Sequence, residues 1–211
     1  MININHFISE FPNKIKTKEN TPPWEITNNI EKMIEDIISN LDYNYEIKDG
    51  IAIHKTVTIE TGVILKRPVI IMENCFVGAN AYFRGGVFLD KSVKIGAGCE
   101  IKSSVICSKT SIAHLNYIGN SIIGQNVNFE AGSISANHYN ERVSKEIHVK
   151  FGRKRINTKS TKFGSLVGDD SKIGANAVLS PGTLLEKNTI VKRLQLIEQL
   201  TDESKNGYNK V

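Results

Sequence analysis

The feature that leaves this chain the fewest choices is a period of six. Ile47, Ile53, Ile59, Leu65, Ile71, Val77, Phe83, Leu89, Ile95, Ile101 and Cys107 follow one another at that spacing without a slip. Four residues after each comes a mostly small or β-branched side chain, from Ile51, Val57 and Val63 through Cys75 and Ala81 to Cys99 and Val105. Three residues after each comes a residue suited to a bend, among them Gly50, Gly62, Pro68, Asn74, Asn80, Gly86 and Gly98. The apolar face of a helix recurs at 3.6 residues and that of a strand at two, so neither carries this pattern. A hexapeptide β-helix does: each hexad is one short strand and one bend, and three hexads close a triangular coil of about eighteen residues. The aliphatic residue points inward and stacks on its counterpart one coil later, with coils about 4.8 Å apart as parallel strands.

The period marks out the rest of the chain. The expected architecture is all-β, with the β-helix over residues 46–192. Residues 1–45 hold an arm, polar and irregular to residue 21, and then a helix in which Ile30, Met33, Ile34, Ile37, Ile38 and Leu41 keep one apolar face. Thr21 before Pro22 and Pro23, with Glu25 in the first turn, marks its start. That face is expected to dock on the first coil and cap an open sheet edge, with Trp24 as an anchor. After Cys107 the spacing slips to five at Cys107–Ile112 and again at Ile118–Ile123, and it stops over residues 137–165. That insertion carries Arg142, Lys145, Lys150, Arg153, Lys154, Arg155, Lys159 and Lys162, and is expected to be a mobile basic loop ordered by an anion. The hexads resume at Val167, Ile173, Leu179 and Leu185. Residues 193–211 are expected to form a short C-terminal helix and a frayed tail, with Leu194, Ile197 and Leu200 as the apolar face.

Composition closes off several classes. The 211 residues suffice for one domain with a substantial core, and a net charge of +5 points only weakly to acidic ligands. No apolar run approaches the length of a membrane span, and the first ten residues lack a secretory pattern, so the expected location is the cytoplasm. The three cysteines, Cys75, Cys99 and Cys107, sit at inward positions without disulfide or metal spacing. No metal is expected. The basic insertion has little aromatic interleaving and no reader motif, which argues against nucleic acid.

Chemistry in such a solenoid has to sit on outward or turn positions. Arg84 and Lys102 each follow an inward residue and lie eighteen apart, so they stack on one outer column. Two cations at that separation repel. They are either two solvated side chains or the two sides of an anion site. The segment His114-Leu115-Asn116-Tyr117 lies between the two slips, and such irregularities re-aim side chains near active sites.

These motifs resemble a known family. Arg84-Gly-Gly, Glu100-Ile-Lys102-Ser, His114-Leu-Asn-Tyr117-Ile-Gly-Asn120, Gly124-Gln-Asn-Val-Asn128, Ala131-Gly-Ser-Ile-Ser-Ala-Asn137 and Ile173-Gly174 fall in order. They are similar to the acetyltransferase domain of the bifunctional glucosamine-1-phosphate acetyltransferase / N-acetylglucosamine-1-phosphate uridyltransferase. Pro23-Trp24-Glu25 and the tract from Gly152 to Asp169 look closer to archaeal-type sugar-1-phosphate nucleotidylyltransferases. The resemblance implies a left-handed β-helix, a homotrimer with sites between subunits, and an N-acyltransferase using acetyl-CoA on an amino sugar phosphate or nucleotide amino sugar. It implies His114 as general base, Arg84, Lys102 and Lys162 on the phosphate, and Tyr117, Asn128 and Asn137 on the sugar. Ala175 and Arg193 would meet the acyl donor. Glu130 replaces the usual Gly, His138 a common Tyr, and Ala175 a common Ser. The nucleotidyltransferase half has no counterpart in the sequence, so no nucleotidyl transfer is expected.

Three other readings compete. A zinc-dependent carbonic anhydrase on the same helix needs three converging His, and His54, His114, His138 and His148 are not spaced for that. A trimeric, non-catalytic sugar-phosphate-binding or regulatory subunit would keep the acceptor residues alone. An O-acetyltransferase would use the same His on a hydroxyl.

Overall fold

A computed structural model describes residues 2–18 and 20–200. From Ile51 the chain winds into a parallel β-helix with three faces. One face runs through Ile51–His54, Val69–Ile71, the second half of Tyr82–Leu89, the second half of Glu100–Ile106, Ile122–Ile123, Ser165–Val167 and Thr183–Leu185. A second runs through Ile64–Leu65, the first halves of the strands Tyr82–Leu89 and Glu100–Ile106, then Tyr117–Gly119, Ile134–Ser135, Val178–Leu179 and Leu196–Ile197. The third holds Thr58–Ile59, Phe76–Val77, Lys94–Ile95, Ser111–Ile112, Asn128–Phe129, Lys172–Ile173 and Ile190–Val191. Ile71, Val77, Phe83, Leu89, Ile95 and Ile101 stack in the axis of the coil, fully buried. Burying each such side chain is worth roughly 1.5–3 kcal/mol. Ile53 and Leu65, in the first coil, are only partly buried.

The spacing of inward residues falls to five twice, at Ile101–Ile106 and again at Ile118–Ile123, and at the first of these the pairing register shifts. Arg84 pairs with Lys102, but Val87 pairs with Ser104, so the strand Tyr82–Leu89 carries one extra residue at Gly85-Gly86. Both glycines have positive φ (67° and 85°), a conformation costly for other residues. The coil therefore shortens by one residue, and the inward residue after Ile101 is Ile106, not Cys107. Cys107 instead packs in a second apolar cluster outside the coil. The slip lies at Ile101–Ile106, six residues earlier than the Cys107–Ile112 step that the spacing alone suggested.

That second cluster covers the outer side of the first face. Ala52, Ile70, Phe88, Val105, Ile122, Leu166 and Leu184 point out of the coil and are buried by other parts of the chain. The helix Pro23–Ile38 lies over them, with Ile26, Ile30 and Ile34 buried one turn apart and Pro23 at its start. It therefore docks on the flank of the solenoid and does not cap the first coil. The first sheet edge is covered instead by a hairpin pairing Tyr45–Lys48 with Ile51–His54 in antiparallel register. Ile47, expected as the first stacked hexad, sits in that hairpin and is 46% exposed. The arm is not irregular: Ile4–Phe7 is a short helix, and Phe7 and Ile8 are fully buried.

The insertion is a folded element and not an open loop. His148–Phe151 and Lys154–Asn157 form an antiparallel hairpin, and Ile147, Val149 and Phe163 are fully buried. Trp24 meets Phe163 edge-on at 5.8 Å, which ties the long helix to the insertion as an anchor. The expected C-terminal helix is replaced by another coil within the described residues. Val191 to Ile197 is again a spacing of six, Leu196–Ile197 pairs with Val178–Leu179, and Leu194 is an exposed turn residue at φ 61°. The tail expected at Lys205–Val211 lies outside the described residues.

Candidate functional site

The bulge in Tyr82–Leu89 falls at the corner between the first and second faces, and that corner collects most of the singled-out residues. Arg84 and Lys102 are direct neighbours across the strand pair, and Gly119 follows Lys102 in the same column. The chain then adds Asn120, whose N–H donates to the Lys102 carbonyl at 2.8 Å. Asn137 Nδ2 donates to Asn120 Oδ1 at 2.6 Å, and the Tyr117 hydroxyl stands with the Asn137 amide beside Gly119. The insertion returns to the corner where Phe163 N–H donates to the Asn137 carbonyl and Gly164 N–H to the Asn120 carbonyl. Lys162, just before them, contributes charge at Lys102. Arg84, Lys102, Tyr117, Asn137 and Lys162 are thus brought to one corner, although Lys162 is sixty residues from Lys102 in sequence.

Electrostatics at this corner are uneven. Arg84 Nε and Nη2 both meet Glu100 Oε1, at 2.7 and 2.6 Å. Lys102 has no ion-pair partner within 4 Å among the described residues. Partial burial, then Arg84, then Lys162, pull its ammonium below the usual lysine range. Burial and Glu100 push the Tyr117 phenol up. Beneath the corner runs a file of buried hydroxyls. Ser121 Oγ bonds Ser135 Oγ at 2.9 Å, and Ser135 Oγ bonds Ser165 Oγ at 2.7 Å. Gly86 lets the long helix approach: a Cβ there would stand 2.9 Å from Ile30 Cγ2. The same approach brings the Glu31 carboxylate near Gly85 and Lys102.

Of the residues expected to act on the acceptor, His114 and Asn128 fall outside this corner. His114 lies on the next corner, three residues before Tyr117, with an exposed ring that makes no hydrogen bond among the described residues. Its backbone carbonyl accepts from Gly132 N–H at 2.9 Å. Asn116, two residues on, is buried and donates to the Glu130 and Ser133 carbonyls, which fixes the turn. Asn128 stands on the third face, where it pairs with Ser111 and Lys172. It lines a groove of about 440 Å³ with Glu130, Lys172, Gly174, Ile190, Lys192 and Arg193.

Ala175 and Arg193 meet at this groove through Glu130. The Ala175 N–H donates to Glu130 Oε2 at 2.9 Å, while Arg193 Nε and Nη2 donate to its two oxygens at 2.8 and 2.9 Å. The Arg193 hydrogen bond holds the Glu130 carboxyl below its ordinary range. Lys172, Lys192 and Arg193 around one groove suit a polyphosphate. Sequence reasoning did not assign roles to Glu100, Asn120, Glu31 or Glu130. Glu100 could have been found, since it precedes Lys102 by two and so shares its strand face; the others depend on the bulge and on contacts between coils.

The five histidines do not converge, and no group of three metal-ligating side chains lies together among the described residues. No helix among them is long and apolar enough to cross a membrane. Residues 67–139 match the model of the GMPPB C-terminal domain, and residues 166–192 that of the hexapeptide repeat of succinyl-transferase. A bifunctional sugar-1-phosphate nucleotidylyltransferase/acetyltransferase of Sulfurisphaera tokodaii is 33% identical over 76% of this chain and 41% of its own. A bifunctional protein GlmU of Methanococcus vannielii is 31% identical over 89% of this chain and 46% of its own. The chain thus spans less than half the length of these relatives. A hexapeptide transferase family protein of Anaplasma phagocytophilum superposes over 74% of this chain and 84% of its own, with TM-score 0.48 and 19% identity.

Proposed function

We propose, from the premise that this is a hexapeptide-repeat chain related to the bifunctional nucleotidylyltransferase/acetyltransferases, that it is an N-acyltransferase taking acetyl-CoA as donor and an amino sugar phosphate or nucleotide amino sugar as acceptor. The observation that carries the reading is the corner where Arg84, Lys102 and Lys162 gather around Asn120, Asn137 and Tyr117. Three cations with one carboxylate partner among them favour a bound phosphate, and the amides and phenol suit sugar hydroxyls. His114 takes a proton from the acceptor amine as nitrogen attacks the thioester carbonyl; the carbon–sulfur bond breaks and the thiol leaves. Lys172, Lys192 and Arg193 would hold the donor's phosphates, and the Ala175 N–H would donate to it once released by Glu130.

The separation of His114 from the corner of its own chain supports a homotrimer in which His114 serves a site shared with a neighbour. Leu115 beside it is 73% exposed, and Ile64, Ile190, Leu194 and Leu196 are exposed apolar residues a neighbour could cover. Phe88 is not among them, since the chain's own helix and arm bury it.

A second reading, a sugar-phosphate-binding subunit without catalysis, is favoured by one observation: Glu130 already occupies the donors of Ala175 and Arg193. Thiol release from acetyl-CoA against a panel of amino sugar phosphates separates the two. Turnover with one acceptor supports the transferase; sugar phosphate binding without thiol release supports the subunit and overturns the enzyme.

A further inference from the structure

We infer that Glu130 is a gate on the donor groove: it holds, within the chain, the groups that an anionic donor needs, and it must release them for the donor to bind. The inference rests on the reading of that groove given above. Three N–H donors converge on one carboxylate, two from the planar guanidinium of Arg193 and one from the Ala175 backbone. A phosphate presents the same arrangement of acceptor oxygens to a guanidinium fork and an amide. Glu130 therefore stands as an internal substitute for a ligand phosphate.

Two features separate a gate from a structural clasp. The side chains of Arg193 and Glu130 are 72% and 39% exposed, and an exposed ion pair is screened and held only weakly. The three coils it touches are already joined by backbone bonds. Glu130 N–H donates to the Ile173 carbonyl at 2.8 Å and Gly174 N–H to the Val191 carbonyl at 2.9 Å. Removing the carboxylate leaves the ladder intact while freeing Arg193 and the Ala175 N–H. Lys172 and Lys192 line the same groove and remain to attract an anion.

The test is calorimetric titration of CoA into the full chain and its Glu130→Ala, Glu130→Gln and Arg193→Ala variants, with donor and acceptor KM measured in parallel. Glu130→Ala should lower the Kd for CoA about two- to fivefold, the range that an exposed ion pair is worth. The donor KM should fall with it, while kcat and the acceptor KM stay put. Glu130→Gln should fall between wild type and Glu130→Ala. In the Arg193→Ala background the gain should vanish, because the group released by the gate is gone. A clasp predicts the reverse: lower Tm and unchanged or weaker CoA binding in Glu130→Ala, and that result overturns the gate. If no protein binds CoA, the reading of the groove as a donor site fails, and inorganic pyrophosphate decides the gate. Tighter pyrophosphate binding by Glu130→Ala upholds it, and equal or weaker binding overturns it.

Discussion

Arg84 and Lys102 face each other on adjacent parallel strands, yet among the described residues only Arg84 of the two has a carboxylate partner, Glu100 at 2.6 Å. The unpaired cation is the one whose charge is least comfortable, being partly buried and flanked by Arg84 and Lys162. A bound phosphate would relieve it. Lys102→Ala should therefore raise the acceptor KM or Kd by roughly ten- to a hundredfold, since a hydrogen bond to a charged group is worth about 1.5–3 kcal/mol. Folding stability should hold or rise slightly, because a repulsion is removed. Steady-state kinetics or titration with the sugar phosphate, beside a thermal melt, checks both halves. Unchanged acceptor affinity would sink the phosphate assignment.

His114 should separate from Lys102 in kinetics as it does in space. His114→Ala should lower kcat by ~10²–10⁴ and leave acceptor binding nearly unchanged, because proton abstraction counts only in the transition state. Thiol release at saturating substrates reads this directly. A His114→Ala protein with normal turnover removes the general base from the mechanism.

The corner that presents His114 depends on Gly96. A Cβ there would stand 1.4 Å from the Ala113 carbonyl oxygen and 2.9 Å from His114 Nδ1. Gly96→Ala must push backbone aside, and overpacking of this kind costs about 1–3 kcal/mol or more. Denaturant titration should show that loss. Turnover at a temperature where the variant is folded should fall further, because the displaced segment carries His114. A variant as stable and active as wild type would show that the corner yields freely.

Asp90 gives a pH-dependent expectation. It is buried beside Lys91 and Ser108 in a cavity of about 750 Å³, and burial pushes its carboxyl above the ordinary carboxylate range. Burial penalises the ionised form only in the folded chain. The penalty is therefore present above the raised pKa and absent once folded and unfolded chains are both protonated. Asp90→Asn should raise Tm at pH 7, and the gain should shrink as pH falls and vanish below about pH 4. Melts across that range test the sign; a Tm loss at pH 7 would show that the carboxylate is needed as an acceptor.

The coil could be read from the chain because every inward hexad is an independent vote for the same stacking. Phe83, Leu89 and Ile95 each repeat a choice already made by their neighbours one coil earlier. The one-residue bulge was hidden for the opposite reason. Gly85-Gly86 and Ser103-Ser104 look alike as turn residues, and only the pairing of Val87 with Ser104 reveals which strand holds the surplus. Cys107 was consequently assigned to the wrong side. The site was legible where it followed the eighteen-residue column, as with Arg84 and Lys102. It was illegible where it depended on a fold-back, as with Glu130 meeting Arg193 across sixty-three residues. The closing helix failed because Leu194, Ile197 and Leu200 fit a helical face as well as a hexad, and continuation of the ladder from Val178–Leu179 decided between them.

The insertion has a consequence for how such a chain can change. Ile112 pairs with Phe129 seventeen residues on, whereas Phe129 pairs with Ile173 forty-four residues on, and the strands meet in the same parallel register. Closing a longer excursion costs only about 0.6 kcal/mol per doubling of length, so the detour adds less than about 1 kcal/mol to that junction. Each corner of the coil is therefore a splice point, where a segment such as the one bearing Lys162 can be grafted, exchanged or resized without retuning the coils on either side. New selectivity in a protein of this build can come from what is hung on one bend, while the spool it hangs from stays the same.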